Sequence, residues 1–181
     1  RMLQMSNPPR KCVVDTNVPK NANLAIDPGE IPDDLTMCVL ACVEAVGYII
    51  KKGGLVVDGG QEIFDEYRNN LSMSGQPGVG DRFMKWVHDN RWKFPQEDRV
   101  TITGHGDSYN EFPNHEGLSD FDISDRKFVA VANAHPTKPP IIQATDSKWW
   151  GWKDSLKEVG ITVQFLCSDY VKAKYQEKMG T

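Results

Sequence analysis

With 181 residues, 39% of them hydrophobic and 25% charged, the chain has the length and balance of one ordinary globular domain with a closed core. No stretch approaches the roughly 20 apolar residues of a membrane span. The nominal charge of −4, from 21 basic and 25 acidic residues, lacks the global basic field of a non-specific nucleic-acid binder.

That charge weighs little against nucleic acid, because four acids serving as metal ligands would account for the whole excess, and bound cations reverse the local sign. The opening Arg1-Met2-Leu3-Gln4-Met5 lacks a charged head followed by an apolar core, so no secretory signal is expected. Arg1 is not a natural initiator, and the first few residues read as a cloning remnant. Cys12, Cys38, Cys42 and Cys167 have no metal-ligand spacing and lie in apolar runs. They read as reduced core cysteines of a cytoplasmic protein.

In chain order, the first strand runs from Lys11 to Asp15. Ile31-Pro32-Asp33-Asp34 opens a helix in which Leu35, Val39, Cys42, Val46 and Ile49 fall at helical spacing, stopped by Gly53-Gly54. Met37, Leu40 and Tyr48 make its opposite face apolar too, so this helix should be largely buried. Leu55-Val56-Val57 is a second strand, and Asp58-Gly59-Gly60 leads into a helix with Ile63, Tyr67 and Leu71 on one side. A Gly-rich stretch from Ser72 to Gly80 precedes an amphipathic piece, Asp81 to Asn90. Val100 to Thr103 is a third strand, and Gly104 to Asp120 reads as a long loop. Asp122-Ile123-Ser124-Asp125 opens a helix that buries Phe128, Val129 and Ala132. Strand four is Ile141 to Thr145, a Trp-rich helix spans Lys148 to Glu158, and strand five is Ile161 to Leu166.

Alternating strands and helices imply βαβ units and a mostly parallel sheet. Strands one and two are continuously apolar, as central strands are, whereas strands three and five alternate, which suits edges. The expected fold is α/β: a three-layer α/β/α sandwich on a five-stranded sheet of order 3-2-1-4-5. One domain spans residues 1–181, with a core of about 11–167 and a long insertion or loop at about 72–120.

In that order strands one and four lie side by side where the winding reverses, so Asp15 and Asp146 share the crevice in which open parallel sheets bind ligands. Glu66, on the helix after strand two, sits just off the apolar stripe and can reach the rim. Asp125 lies in the first turn of its helix and points along the same edge. Four clustered carboxylates raise one another's pKa, and a hard divalent cation resolves the conflict. Each acid also has an ordinary use. Asp146 can cap the following helix, Asp122 and Asp125 match a capping pattern, Asp15-Thr16-Asn17 suits a turn, and Glu66 can be a solvated helix acid.

The run Val13-Val14-Asp15-Thr16-Asn17-Val18 resembles the opening of PIN-domain nucleases. Asp125-Arg126-Lys127-Phe128-Val129-Ala130-Val131-Ala132 is similar to their third acidic motif, and Ala144-Thr145-Asp146-Ser147 to their fourth. Leu55-Val56-Val57-Asp58 followed by Ile63-Phe64-Asp65-Glu66-Tyr67 resembles their strand-then-glutamate segment. The resemblance covers about residues 11–167 in order and implies the same PIN-like sheet. It implies Mg²⁺- or Mn²⁺-dependent phosphodiester hydrolysis, usually of RNA, with Asp15, Glu66, Asp125 and Asp146 as metal ligands and catalytic residues, leaving a 5′-phosphate and a 3′-hydroxyl. Two departures stand out. Lys148 occupies a position where many members carry a second acid, and the Ser72–Asp120 segment exceeds the compact toxin-type members.

Lesser candidates surround these four. Asn17 can bond Asp15 or a metal-bound water; Glu44 can be a fifth ligand or a buried acid bonded to backbone; Asp58 more simply caps the Glu66 helix. Arg126, Lys127 and Lys148, with Lys153, can border the crevice and hold a phosphate backbone, although lysine-rich faces are usually just solvated. Trp149, Trp150 and Trp152 are too close together for all to be buried on one face; packing or a partner interface is the ordinary use for most of them, and an exposed one can stack on an unpaired base. His105, His115 and His135 have no ligand spacing; His135 falls at a helix end where the dipole favours a cation. The functional expectation is a metal-dependent endonuclease, with RNA favoured. A non-catalytic PIN-like module binding protein or RNA is the alternative, as is the toxin half of a toxin–antitoxin pair covered by a protein inhibitor. Homo-oligomerisation remains open, and no membrane partner is expected.

Overall fold

The computed structural model describes residues 7–180; the opening residues read as a remnant lie outside them. The first strand, β1 (Val13–Val14), is followed at once by α1 (Asn17–Asn23) and then α2 (Thr36–Lys52). Next come β2 (Val57–Asp58), α3 (Glu62–Asn70), α4 (Val79–Asn90) and β3 (Arg99–Val100). A hairpin, β4 (Gly104–His105) and β5 (Ser108–Tyr109), leads to α5 (Arg126–Ala134) and β6 (Ile141–Gln143). The chain closes with α6 (Lys148–Glu158), β7 (Val163–Phe165) and α7 (Ser168–Lys178).

The five-stranded sheet expected from the sequence is not formed. The protein is α/β with seven helices among the described residues and three small sheets: a parallel β1-β6-β7, a parallel β2-β3, and the antiparallel hairpin β4-β5. The three-stranded sheet is centred on β6, not on the first strand. One isolated parallel bridge, Cys12 to Leu55, touches the segments leading into β1 and β2. It goes no further for a local reason. Val14 O, the acceptor that a continuing ladder would use, is taken by the buried Tyr67 hydroxyl at 2.5 Å. A buried carbonyl needs one good donor, and here a side chain supplies it in place of a strand.

The core joins Val13, Val14, Ile141 and Ile142 to Ile63, Tyr67, Phe83, Phe128 and Trp149, all fully buried. Helices α1, α2 and α4 pack on one another, while α5 lies against β1 and β6. Helix α2 is one-sided: Met37 and Leu40 are 51% and 49% exposed, against the expectation of a largely buried helix. The 104–120 stretch is not an unstructured loop. It holds the β4-β5 hairpin and a 3-10 turn, Glu116–Leu118, anchored by buried Leu118 and Phe121. Within 72–120, α4 and β3 contribute Phe83, Met84, Val87 and Val100 to the core.

Cys38 and Cys167 are joined by a disulfide across 129 residues, correcting the reading of four reduced thiols; Cys12 and Cys42 are free and buried. The inference of a reducing compartment therefore loses two of its four residues. Among the described residues no helix is long and apolar enough to cross a membrane.

Candidate metal centre

Strands β1 and β6 pair in parallel, Val13 with Ile141 and Val14 with Ile142, and Asp15 N donates to Ile142 O. Their carboxyl ends therefore finish together. Asn17 fastens them. Its amide donates to Asp15 Oδ2 at 3.0 Å, and its side-chain Oδ1 accepts from Ala144 N at 3.1 Å. Asn21 Nδ2 adds bonds to Asn17 O at 2.7 Å and Thr145 Oγ1 at 3.0 Å. Beyond β6, Asp146 Oδ1 accepts from Lys148 N at 3.1 Å, the usual satisfaction of a free amide at a helix start.

Asp122 and Asp125 bracket a 3-10 turn, Ile123–Asp125, that leads into α5. Asp125 Oδ2 accepts from the indole Nε1 of the fully buried Trp149 at 3.3 Å, so α6 fixes the carboxylate at the start of α5. One carboxylate oxygen from each of Asp122, Asp125 and Asp146 lies within 4.8 Å of the others. Asp122 is the member that sequence reasoning assigned only to capping. Its position three residues before Asp125, one helical turn away, was the available signal.

Asp15 is 5% exposed and its carboxyl is held well above the usual range, by burial first and then by the charges of Asp125, Glu66 and Asp146. Asn17's amide opposes this by favouring the charged form. Burial, followed by Asp146, pushes Asp125 up to about 6, with the Trp149 bond acting in the opposite sense. Glu66 belongs to this group electrostatically but is already engaged. Thr16 Oγ1 donates a short bond to Oε2, and Lys127 Nζ lies 3.0 Å from Oε1. Lys148 Nζ sits 2.9 Å from Asp122 Oδ2, and that bond raises its pKa. Five carboxylates thus face two ammonium groups, an excess of three negative charges if all ionise.

The remaining candidates separate clearly. Glu44 is exposed on α2, so the reading of a buried acid there is corrected. Asp58 caps α3, accepting from Glu62 N at 2.8 Å and Ile63 N at 2.9 Å, with both oxygens occupied. Arg126 lines the hollow beside Asp122 but is already engaged. It donates to Phe121 O and Ser119 O and lies over the Phe112 ring, holding the 119–121 turn. Trp150 packs on Phe165 and Trp152 on Phe121; the exposed tryptophan is Trp92, at 56%. His135 is buried with Nε2 2.9 Å from Asp98 Oδ1, which Lys11 also contacts, a network at the start of β1 and β3. Two surface hollows flank the 122–125 turn. One, of about 610 Å³, is lined by Asp120, Asp122, Arg126 and Lys148; the other, of about 440 Å³, by Glu62, Tyr109, Ser124 and Lys127.

The donor set fits a hard divalent cation. It is all oxygen, and two oxygens on one octahedral Mg²⁺ are separated by about 3–4 Å, within the spread of the aspartate triad. No family model matches the chain, and comparison with curated proteins and with solved structures gave no match.

Proposed function

We propose that the chain is a Mg²⁺- or Mn²⁺-dependent phosphodiesterase acting on nucleic acid, RNA being favoured by the resemblance of its acidic motifs to those of PIN-domain nucleases. One observation carries the reading: Asp122 and Asp125, on one turn, bring carboxylate oxygens within 4.8 Å of that of Asp146 beyond β6, and buried Asp15 at the end of β1 is near enough to feel the charge of Asp125 and Asp146. Asp15 and Asp125 are driven toward protonation by burial and mutual repulsion. Groups so perturbed cluster at functional sites.

Asp122, Asp125 and Asp146, the triad whose oxygens lie within 4.8 Å of one another, would hold the cation once Asp122 is released from Lys148, and buried Asp15 would join them as a fourth ligand. Bound there, the ion would acidify water and neutralise charge on a phosphodiester. Glu66, bonded by Thr16 and Lys127, would accept a proton from an attacking water or orient it. Lys148, once released from Asp122, supplies an ammonium for a non-bridging phosphate oxygen. The hollows on either side of the 122–125 turn give an extended substrate room to pass.

The test is cleavage of mixed RNA and DNA substrates with Mg²⁺, Mn²⁺ or a chelator. Metal-dependent cleavage that is lost in both Asp15→Asn and Asp146→Asn, with circular dichroism unchanged, supports the proposal. Cleavage unaffected by both substitutions refutes it.

A second reading, a non-catalytic binding module, draws on the pairing of Lys127 with Glu66 and of Lys148 with Asp122. Internal cations already answer two of the five acids. Mn²⁺-dependent thermal stabilisation without any cleavage would favour a binding role.

A further inference from the structure

Helix α2 carries Cys38 in its first turn and Cys42 one turn later on the same buried face, and Cys167 immediately precedes α7. The three residues are 5%, 0% and 7% exposed, and their sulfurs all lie within 4.8 Å of one another. Two of the sulfurs form the disulfide, with Cα atoms 5.2 Å apart, and Cys42 is a third sulfur against it. A free buried cysteine is ordinarily a small core hydrophobe, as Cys12 is. Cys42 differs in its neighbours. Its sulfur lies against two others, whereas Cys12 belongs to no such group among the described residues.

We propose that, once the Cys38–Cys167 bond is reduced, Cys38, Cys42 and Cys167 form a binding site for one Cu(I) ion. The donor set is all sulfur, which selects soft ions. It contains three donors: no histidine or carboxylate joins the group among the described residues, whereas closed zinc sites take four ligands. A trigonal ion with bonds of about 2.3 Å separates its sulfurs by about 4 Å, so the Cys38 and Cys167 sulfurs, joined in the disulfide, must part on reduction to reach it, while Cys42 already lies within 4.8 Å of both. Cys38 lies at the amino-terminal end of α2 and Cys167 at that of α7, helices of 17 and 11 residues. Sulfurs carried at those positive ends have part of the negative charge of a thiolate complex offset.

The chemistry balances in two steps. A phosphine or dithiol reductant supplies two electrons, with two protons taken up, to turn the disulfide into two thiols. Cu⁺ then replaces the three thiol protons, giving a trithiolate complex of charge −2 and releasing three H⁺, so affinity rises with pH. Disulfide and ion are alternative occupants of one pocket, each joining α2 to the start of α7.

The experiment titrates Cu(I) into anaerobic, phosphine-reduced protein in competition with a chromophoric Cu(I) chelator such as bicinchoninate. Reduced wild type should withdraw one equivalent, and unreduced wild type none. Cys42→Ser and the apolar Cys42→Ala should each weaken retention by about 10–100-fold or more, while Cys12→Ser should leave it unchanged. Two Cys42 variants guard against a polar substitution that disturbs the core. A reduced wild type that leaves the chelator fully loaded, or Cys42 variants that hold Cu(I) as tightly as wild type, would overturn the assignment. So would preferential uptake of Zn²⁺ over Cu(I).

Discussion

Asp125→Asn should stabilise the metal-free protein while removing its response to metal. Ionised Asp125 is partly buried beside Asp146, Glu66 and Asp122, and its carboxyl sits at about 6 in the fold, against about 3.9 in an unfolded chain. At full burial that gap corresponds to about 3 kcal/mol of destabilisation at pH 7.5. Residual solvent access reduces it to about 1–2 kcal/mol. Asparagine keeps an acceptor for Trp149 Nε1 and removes the charge. In chelator at pH 7.5 the variant should melt about 2–8 °C higher.

The sign follows from proton counting. Between about pH 4 and 6 the folded wild type binds more protons than the unfolded chain, so its stability falls as pH rises through that window. The gap between variant and wild type should open across the same window and be small at pH 4. Differential scanning fluorimetry across pH, with and without Mn²⁺, reads both effects. A variant less stable than wild type at pH 7.5 in chelator would refute the claim that these carboxylates repel one another.

Three further outcomes are expected. Lys148→Ala frees Asp122 Oδ2 from its 2.9 Å ion pair and should tighten Mn²⁺ binding by about 2–5-fold; weaker binding would mean that Lys148 supports the cation site instead of competing for it. Tyr67→Phe deprives the buried Val14 carbonyl of its donor and should cost about 1–2 kcal/mol by urea unfolding; an unchanged midpoint would show that another group satisfies Val14. Glu44→Gln, on the exposed face of α2, should alter neither metal response nor stability, and any loss of metal binding would restore Glu44 to the site.

Parts of this arrangement were legible in the chain because they rest on local pattern. The run ending in Asp15 and the run leading to Asp146 are apolar on both sides, so they become the buried β1 and β6, paired in parallel. Asp125, at the entry to α5, follows from helix phase. What was illegible depends on tertiary partners. No pattern reveals that the Tyr67 hydroxyl takes Val14 O and ends strand pairing, so a five-stranded sheet was expected where small sheets occur. Helix α1 has Pro19 and three asparagines, and α7 buries only Val171, so neither shows an apolar period. The Cys38–Cys167 bond joins residues too far apart for spacing to betray it. Asp122 looked like a cap because capping and metal ligation ask for the same side chain at the start of a helix.

The claim that acids at the ends of β1 and β6 form a cation site is tested most directly by calorimetric titration of Mn²⁺ into chelator-stripped protein. Wild type should show saturable binding at the site, with Asp15→Asn and Asp146→Asn each abolishing it and Glu44→Gln retaining it. Binding that persists undiminished in both variants, or no saturable binding to wild type, would contradict it.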